Sequence, residues 1–240
     1  MKNMLIVPIL LLAVSVFSRR CLGSFTSARA SAWTSSRILK QPPMFTLNQL
    51  CCERDGRDLF APLTLGVAAG DYVELLGANG SGKSTLLRTL AGLHSQFSGS
   101  YETVPAVYQG HRLGLDDLLT PVENLLWFAG LEGATLSLDR ILDALQETGI
   151  LTKAYDNCAA MSAGQQRRVA MARWMLSQRK LWLLDEPLTA LDIEAQAVAS
   201  RIIKEHCASG GAVICATHQP LDLTDKTTLT LTPQLAETAS

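Results

Sequence analysis

Residues Gly77 to Thr85 read GANGSGKST, and no other stretch restricts the fold of this chain so strongly. The stretch matches G-x-x-x-x-G-K-[S/T]. It follows DYVELLG, which reads as a strand, and it opens STLLRTLAGL, where Leu86, Leu87, Leu90 and Leu93 recur at helical spacing. In a strand–loop–helix context, glycines let backbone N–H groups turn inward on phosphate oxygens at the positive end of a helix. Gly77, Asn79, Gly80, Gly82, Lys83, Ser84 and Thr85 are therefore the candidate nucleotide contacts. Lys83 is expected to neutralise the β and γ phosphates of ATP, and Ser84 to hold Mg²⁺.

A second stretch, LWLLDEP from Leu181 to Pro187, sets four apolar residues ahead of Asp185 and Glu186. A buried strand that delivers a carboxylate to its carboxyl end is the usual Mg²⁺-side partner of a phosphate loop. Asp185 fits that metal role through a bound water, and Glu186, one residue further on, suits polarising an attacking water.

Between and around these stretches, short apolar runs alternate with helical ones. FTLNQLCCE, LFAPLTLGV, VPAVYQG, KLWLLDE and GAVICAT read as strands. Residues 117–130, 136–149 and GQQRRVAMARWMLSQ read as amphipathic helices, with Ser137 and Asp139 near the start of the second. Alternation of this kind predicts a mostly parallel, covered sheet in an α/β fold. The tail from Leu231 is polar and reads as the end of the fold.

Length and charge narrow the partners. The 240 residues suit one domain with a short appendage. The net charge of −1 hides a division: residues 1–52 hold six Lys and Arg and no acid, whereas the remainder is strongly acidic. An acidic body argues against nucleic acid as a partner, because neutralising phosphates takes clustered cations. The six cysteines show neither CxxC nor zinc spacing, which points to a reducing compartment, and Cys215 within AVICAT reads as a small core residue. From residue 44 onward no apolar run reaches eighteen residues, so the body itself does not cross a bilayer. MLIVPILLLAVSVF, residues 4–17, is the length of a signal h-region, and an acid-free Ser/Ala/Arg tract follows it. Residues 1–43 are read as a targeting or transit segment directed to an organelle, mitochondrion or plastid. The alternative is a membrane-anchored arm with a disordered linker.

The order of phosphate loop, SAGQ, LLDEP, TALD and ATH resembles the ABC-type ATPases, over residues 45 to about 233. The resemblance implies a P-loop NTPase domain at 44–240, with a mostly parallel sheet, a small antiparallel β subdomain and a helical subdomain at about 112–165. It also implies a homodimer in which the signature of one copy caps the ATP held by the phosphate loop of the other. Ser162, Gly164 and Gln165 would then lie at a helix amino terminus aimed at a γ phosphate, a role compatible with Ser162 also capping that helix. Thr189 to Asp192 would cross the dimer interface, and His218 would contact the γ phosphate or the attacking water.

Three details are similar to the CcmA family, the ATPase subunits of cytochrome c maturation. Ala163 replaces the second signature glycine. His111 stands where most ABC ATPases carry a glutamine that senses the membrane subunit. Gln219, Pro220 and Leu221 follow His218. This resemblance implies a CcmB-like membrane partner docked on the helical region, haem delivery as the coupled step, and attachment to an inner membrane through that partner. The alternatives are the ATPase of another ABC transporter, a soluble non-transport ABC protein, or a non-catalytic regulatory subunit. The sequence also departs from the family pattern. The stretch between the phosphate-loop helix and His111 is short, which leaves the antiparallel subdomain short of strands. Met161 replaces a leucine. Arg54 stands about where an aromatic stacks on adenine, with Phe60 as a possible substitute.

Overall fold

The computed structural model describes residues 43–218, 221, 223 and 226–233. The segment read as a targeting tract lies outside these residues, as do Gln219 and Pro220.

Ten residues, Phe45–Arg54, form β1, followed by the two-residue β2 (Arg57–Asp58) and by β3 (Leu63–Val67). Both pair antiparallel with β1, and β5 (Phe97–Thr103) lies along it antiparallel as well. The short region before His111 therefore still supplies a seven-residue strand, contrary to the expectation that the antiparallel sheet would lack one. FSGSYET carries no readable alternation because it lies largely exposed. Its Gly99 also sits where the β1 register shifts, and a Cβ there would overlap the Gln49 carbonyl.

The second sheet is parallel throughout, in the order β6 (Ala106–Gln109), β7 (Leu181–Asp185), β8 (Ala212–Ala216), β4 (Tyr72–Leu76), β9 (Lys226–Thr230). Every residue of β7 and β8 is buried, as continuous apolar runs covered on both faces should be. On one face pack Leu86, Leu87 and Leu90 of α1 (Lys83–Leu90). On the other, Met171 and Trp174 of α4 (Ala163–Leu176) join Ala195, Ala199, Ile202 and Ile203 of α5 (Ile193–Ala208). The sequence reading has no helix at 193–208, where alanines supply much of the buried face and the periodic signal is faint. β9 carries no readable pattern either, since four of its five residues are exposed. Leu231, read as the start of a polar tail, is buried in the core and donates its N–H to Leu76 O.

A third apolar cluster joins α2 (Pro121–Leu131) and α3 (Leu138–Glu147) to the outer face of α4, through Leu125, Ile141, Leu145, Val169 and Ala172. Local chemistry starts each helix. Thr120 and Glu123 cap α2 reciprocally with Pro121 in the first turn, and Ser137 caps α3. Among the described residues Cys51, Cys52, Cys158, Cys207 and Cys215 carry free thiols, and Cys215 is fully buried, as read from the sequence.

Register fixes where chemistry can occur. Gln109 pairs with Leu184, Asp185 with Ala216, and Leu75 with Ala216, so β4, β6, β7 and β8 end on one rim. The loops that leave this rim are the ones that carry the motifs.

At the opposite end of the sheet, His206 of α5 stacks on Trp182 with ring centroids 3.6 Å apart, and its Nε2 lies 3.0 Å from Lys180 O. Burial pushes this imidazole below its ordinary value of 6.5. The unfolded chain then binds the proton more readily than the folded one. Stability is full above pH 6.5 and falls as the pH drops below it. Urea denaturation between pH 5 and pH 8, with His206→Phe as the comparison, is expected to show this decline in the native chain and a flatter profile in the variant.

Candidate functional site

An open cleft of about 480 Å³ lies over the rim. The phosphate loop forms its floor, with Asn79, Gly80, Gly82, Lys83, Ser84 and Thr85 all lining it. Gly82 precedes α1 at φ +96°, and a Cβ there would come within 2.7 Å of the Phe60 ring. Only glycine satisfies both the backbone and the contact. Phe60 is itself fully buried, which rules out its substituting as the base-stacking residue. Arg54 and Leu59 line the cleft instead. Lys83 is largely buried and donates from Nζ to the carbonyls of Gly77 (2.7 Å) and Ala78 (3.1 Å), which ties its ammonium to the start of the loop. Gly77 lies beneath the loop rather than in the cleft wall, close to Ser81 and Leu231.

The acid pair arrives from β7. Asp185 is 5% exposed, Glu186 follows it into the cleft, and Thr189 lines the same wall. Ser84 and Asp185 offer one hydroxyl and one carboxylate. This all-oxygen set suits a hard divalent cation that keeps water and shares phosphate oxygens. His218, just past β8, has Nε2 3.0 Å from Asn79 Oδ1 and 3.5 Å from Glu186 Oε1, which ties the phosphate loop to the acid. His111 lines the cleft from the loop after β6. Residues up to 139 positions apart thus meet on one rim.

The signature segment lies elsewhere. Ser162 caps α4, its Oγ accepting from Gln165 N–H while Gln165 Oε1 accepts from Ser162 N–H. Ser162 and Ala163 are exposed, and neither they, Gly164 nor Gln165 line this chain's own cleft. Gly164 has a reason inside the chain as well: a Cβ on it would stand 2.7 Å from Ala190 O. Asp192 caps α5 by accepting from Ala195 N–H, and both of its carboxylate oxygens accept from the single nitrogen Nη2 of Arg168, whose Nη1 donates to Thr148 O. The Ala195 N–H, more than the guanidinium, holds its carboxyl below the usual range. Its side chain is thus engaged within the chain. Leu59 is a cleft residue that the sequence reading missed, and nothing in its local pattern marks it.

The ABC transporter family model matches residues 60–189, from the link between β2 and β3 to Thr189, just past the acid pair. The cytochrome c biogenesis ATP-binding export protein CcmA of Pseudomonas savastanoi pv. phaseolicola is 42% identical over 197 residues, 77% of this chain and 92% of that protein. This chain belongs to the CcmA family of ABC-type ATPases. Further CcmA relatives are those of Sodalis glossinidius, 42% identical over 73% of this chain and 89% of its own length, and Rhodopseudomonas palustris, 40% identical over 74% and 92%. Solved structures agree on the fold of the family. The ATP-binding protein of an ABC transporter from Pyrococcus furiosus superposes with a TM-score of 0.70 at 23% identity, over 78% of this chain and 96% of that one. An ATP-binding cassette in a dimeric post-hydrolysis state bound to ADP and Pi superposes with 0.66 at 23%, over 73% and 88%.

Proposed function

We propose that this CcmA-family chain is the ATP-hydrolysing subunit of a membrane ABC complex serving cytochrome c biogenesis, working as a nucleotide-sandwich dimer with a separate membrane subunit. One observation carries the sandwich: the exposed amino terminus of α4, with Ser162 at its cap, lies outside the chain's own cleft although its chemistry suits a phosphate. A second copy brings that terminus to the first copy's nucleotide.

Each copy binds triphosphate on the phosphate loop, with Lys83 neutralising the β and γ groups. Ser84, and Asp185 through a water, would hold Mg²⁺, which would supply neutralising charge to the phosphates. Glu186 takes the proton of the attacking water, and His218, oriented by Asn79, contacts the γ phosphate or that water. The products are ADP and phosphate, and their release lets the dimer reopen. His111, at the cleft edge and next to the helical region, suits coupling to a CcmB-like subunit. Thr189 to Asp192 suit the dimer interface through their backbone and Thr189, since Asp192 is held within the chain. Among the described residues no helix is long and apolar enough to cross a membrane, and attachment through that partner is part of this reading. An organellar inner membrane, mitochondrial ahead of plastid, is read from the apolar run 4–17 and the acid-free tract that follows it within residues 1–43; the named relatives are bacterial.

Loss of this chain from its host is expected to abolish covalent haem attachment to c-type cytochromes, read by haem staining of denaturing gels. The wild-type gene should restore it and the Lys83→Ala gene should not. Normal staining in the absence of the chain would overturn the reading.

A further inference from the structure

Glu186 adopts φ +51°, the left-handed region, and Pro187 follows it. A long side chain resists that conformation, and the residue before a proline is pushed towards extended backbone. Such a residue persists only where its surroundings over-determine it. Its N–H donates to Ala216 O at the end of β8 (2.8 Å). Its carbonyl receives a long contact from Thr189 N–H (3.4 Å) and a short bond from Nη1 of Arg167, on the second turn of α4. Arg167 is 6% exposed, and burial pulls its pKa down against the opposing pull of Glu186 and Asp185. A guanidinium this buried is costly unless its donors are used; its buried Nε has no partner, and Nη1 is spent on this one peptide.

We infer that Arg167 is a positioning residue for ATP hydrolysis: its bond to the Glu186 carbonyl holds the Glu186–Pro187 peptide in the strained conformation that turns the Glu186 carboxylate into the cleft beside His218. Arg167 does not line the cleft, so it acts through Glu186 rather than on nucleotide. The helix that holds it begins at Ser162, so the neighbour-facing cap and the in-chain acid share one rigid element. The inference rests on the role given to Glu186 above.

The test is steady-state ATP hydrolysis by the full chain. Arg167→Met keeps most of the volume and deletes the donor. It is expected to lower kcat about 10- to 100-fold with KM for ATP changed less than about twofold. Arg167→Lys, which restores one donor, should regain part of the rate. In a Glu186→Gln background, Arg167→Met should lower the residual rate no further, since nothing remains to be positioned. An additive loss, or a raised KM alongside a lowered melting temperature, would assign Arg167 to packing and overturn the inference. Should the Met variant fail to fold, the Lys variant is read in its place: reduced kcat with unchanged KM supports the role, and any other pattern overturns it. A fully active Glu186→Gln chain would instead sink the role of Glu186 itself, whereas an inactive one beside a wild-type rate in Arg167→Met sinks only the positioning role.

Discussion

Lys83→Ala is expected to abolish measurable ATP binding. The ammonium is buried on the loop and bonded to two of its carbonyls, so its removal deletes the charge that meets the β and γ phosphates and loosens the cradle as well. Charge-assisted bonds of this kind contribute about 1.5–3 kcal/mol each, so losing two phosphate contacts weakens affinity by about a hundredfold or more. Titration with a fluorescent ATP analogue measures it, and circular dichroism separates lost binding from lost fold. Unchanged affinity in a folded variant would show that the loop does not hold phosphate.

Glu186→Gln is expected to bind ATP normally, to lose hydrolysis by about 10²- to 10⁴-fold, and to accumulate as a closed dimer. The amide matches the carboxylate in volume and leaves the backbone bonds of residue 186 untouched, but it cannot accept a proton from water. With closure intact and reopening blocked, nucleotide stays between the two copies. Gel filtration in ATP and Mg²⁺ should show a dimer that wild type does not sustain. A monomer alone would remove the support for a site shared between copies, whatever the hydrolysis rate.

The two tests probe different layers of the same inference. Binding depends on residues contiguous in the chain, and such residues are readable one by one. GANGSGKST, LLDEP and SAGQ each carry their chemistry within a few positions, because a loop, a strand end or a helix cap is a local structure whose spacing dictates its geometry. The caps at Ser137 and Ser162 and the all-buried β7 followed in the same way. The failures share a cause. β5 is an exposed antiparallel strand and α5 packs partly through alanines, so neither writes a strong hydrophobic period. Phe60 and Leu231 were misjudged because burial depends on what packs against a residue, not on its neighbours in the chain.

By itself, therefore, the sequence determined that a glycine-rich loop between strand and helix, an acid pair at a strand end and a serine-capped helix exist, in an order that resembles one family. Only the tertiary structure decided which of them meet. Parallel register carries four strand ends to one rim, so His218 reaches Asn79 and Glu186; β1 brings Arg54 to the cleft while Phe60 stays buried, and Ser162 is left exposed outside it. It also placed Arg167 against a carbonyl nineteen positions away. The physical reason is that strand pairing and helix packing join residues by distance in space, and chain separation leaves no local trace of it.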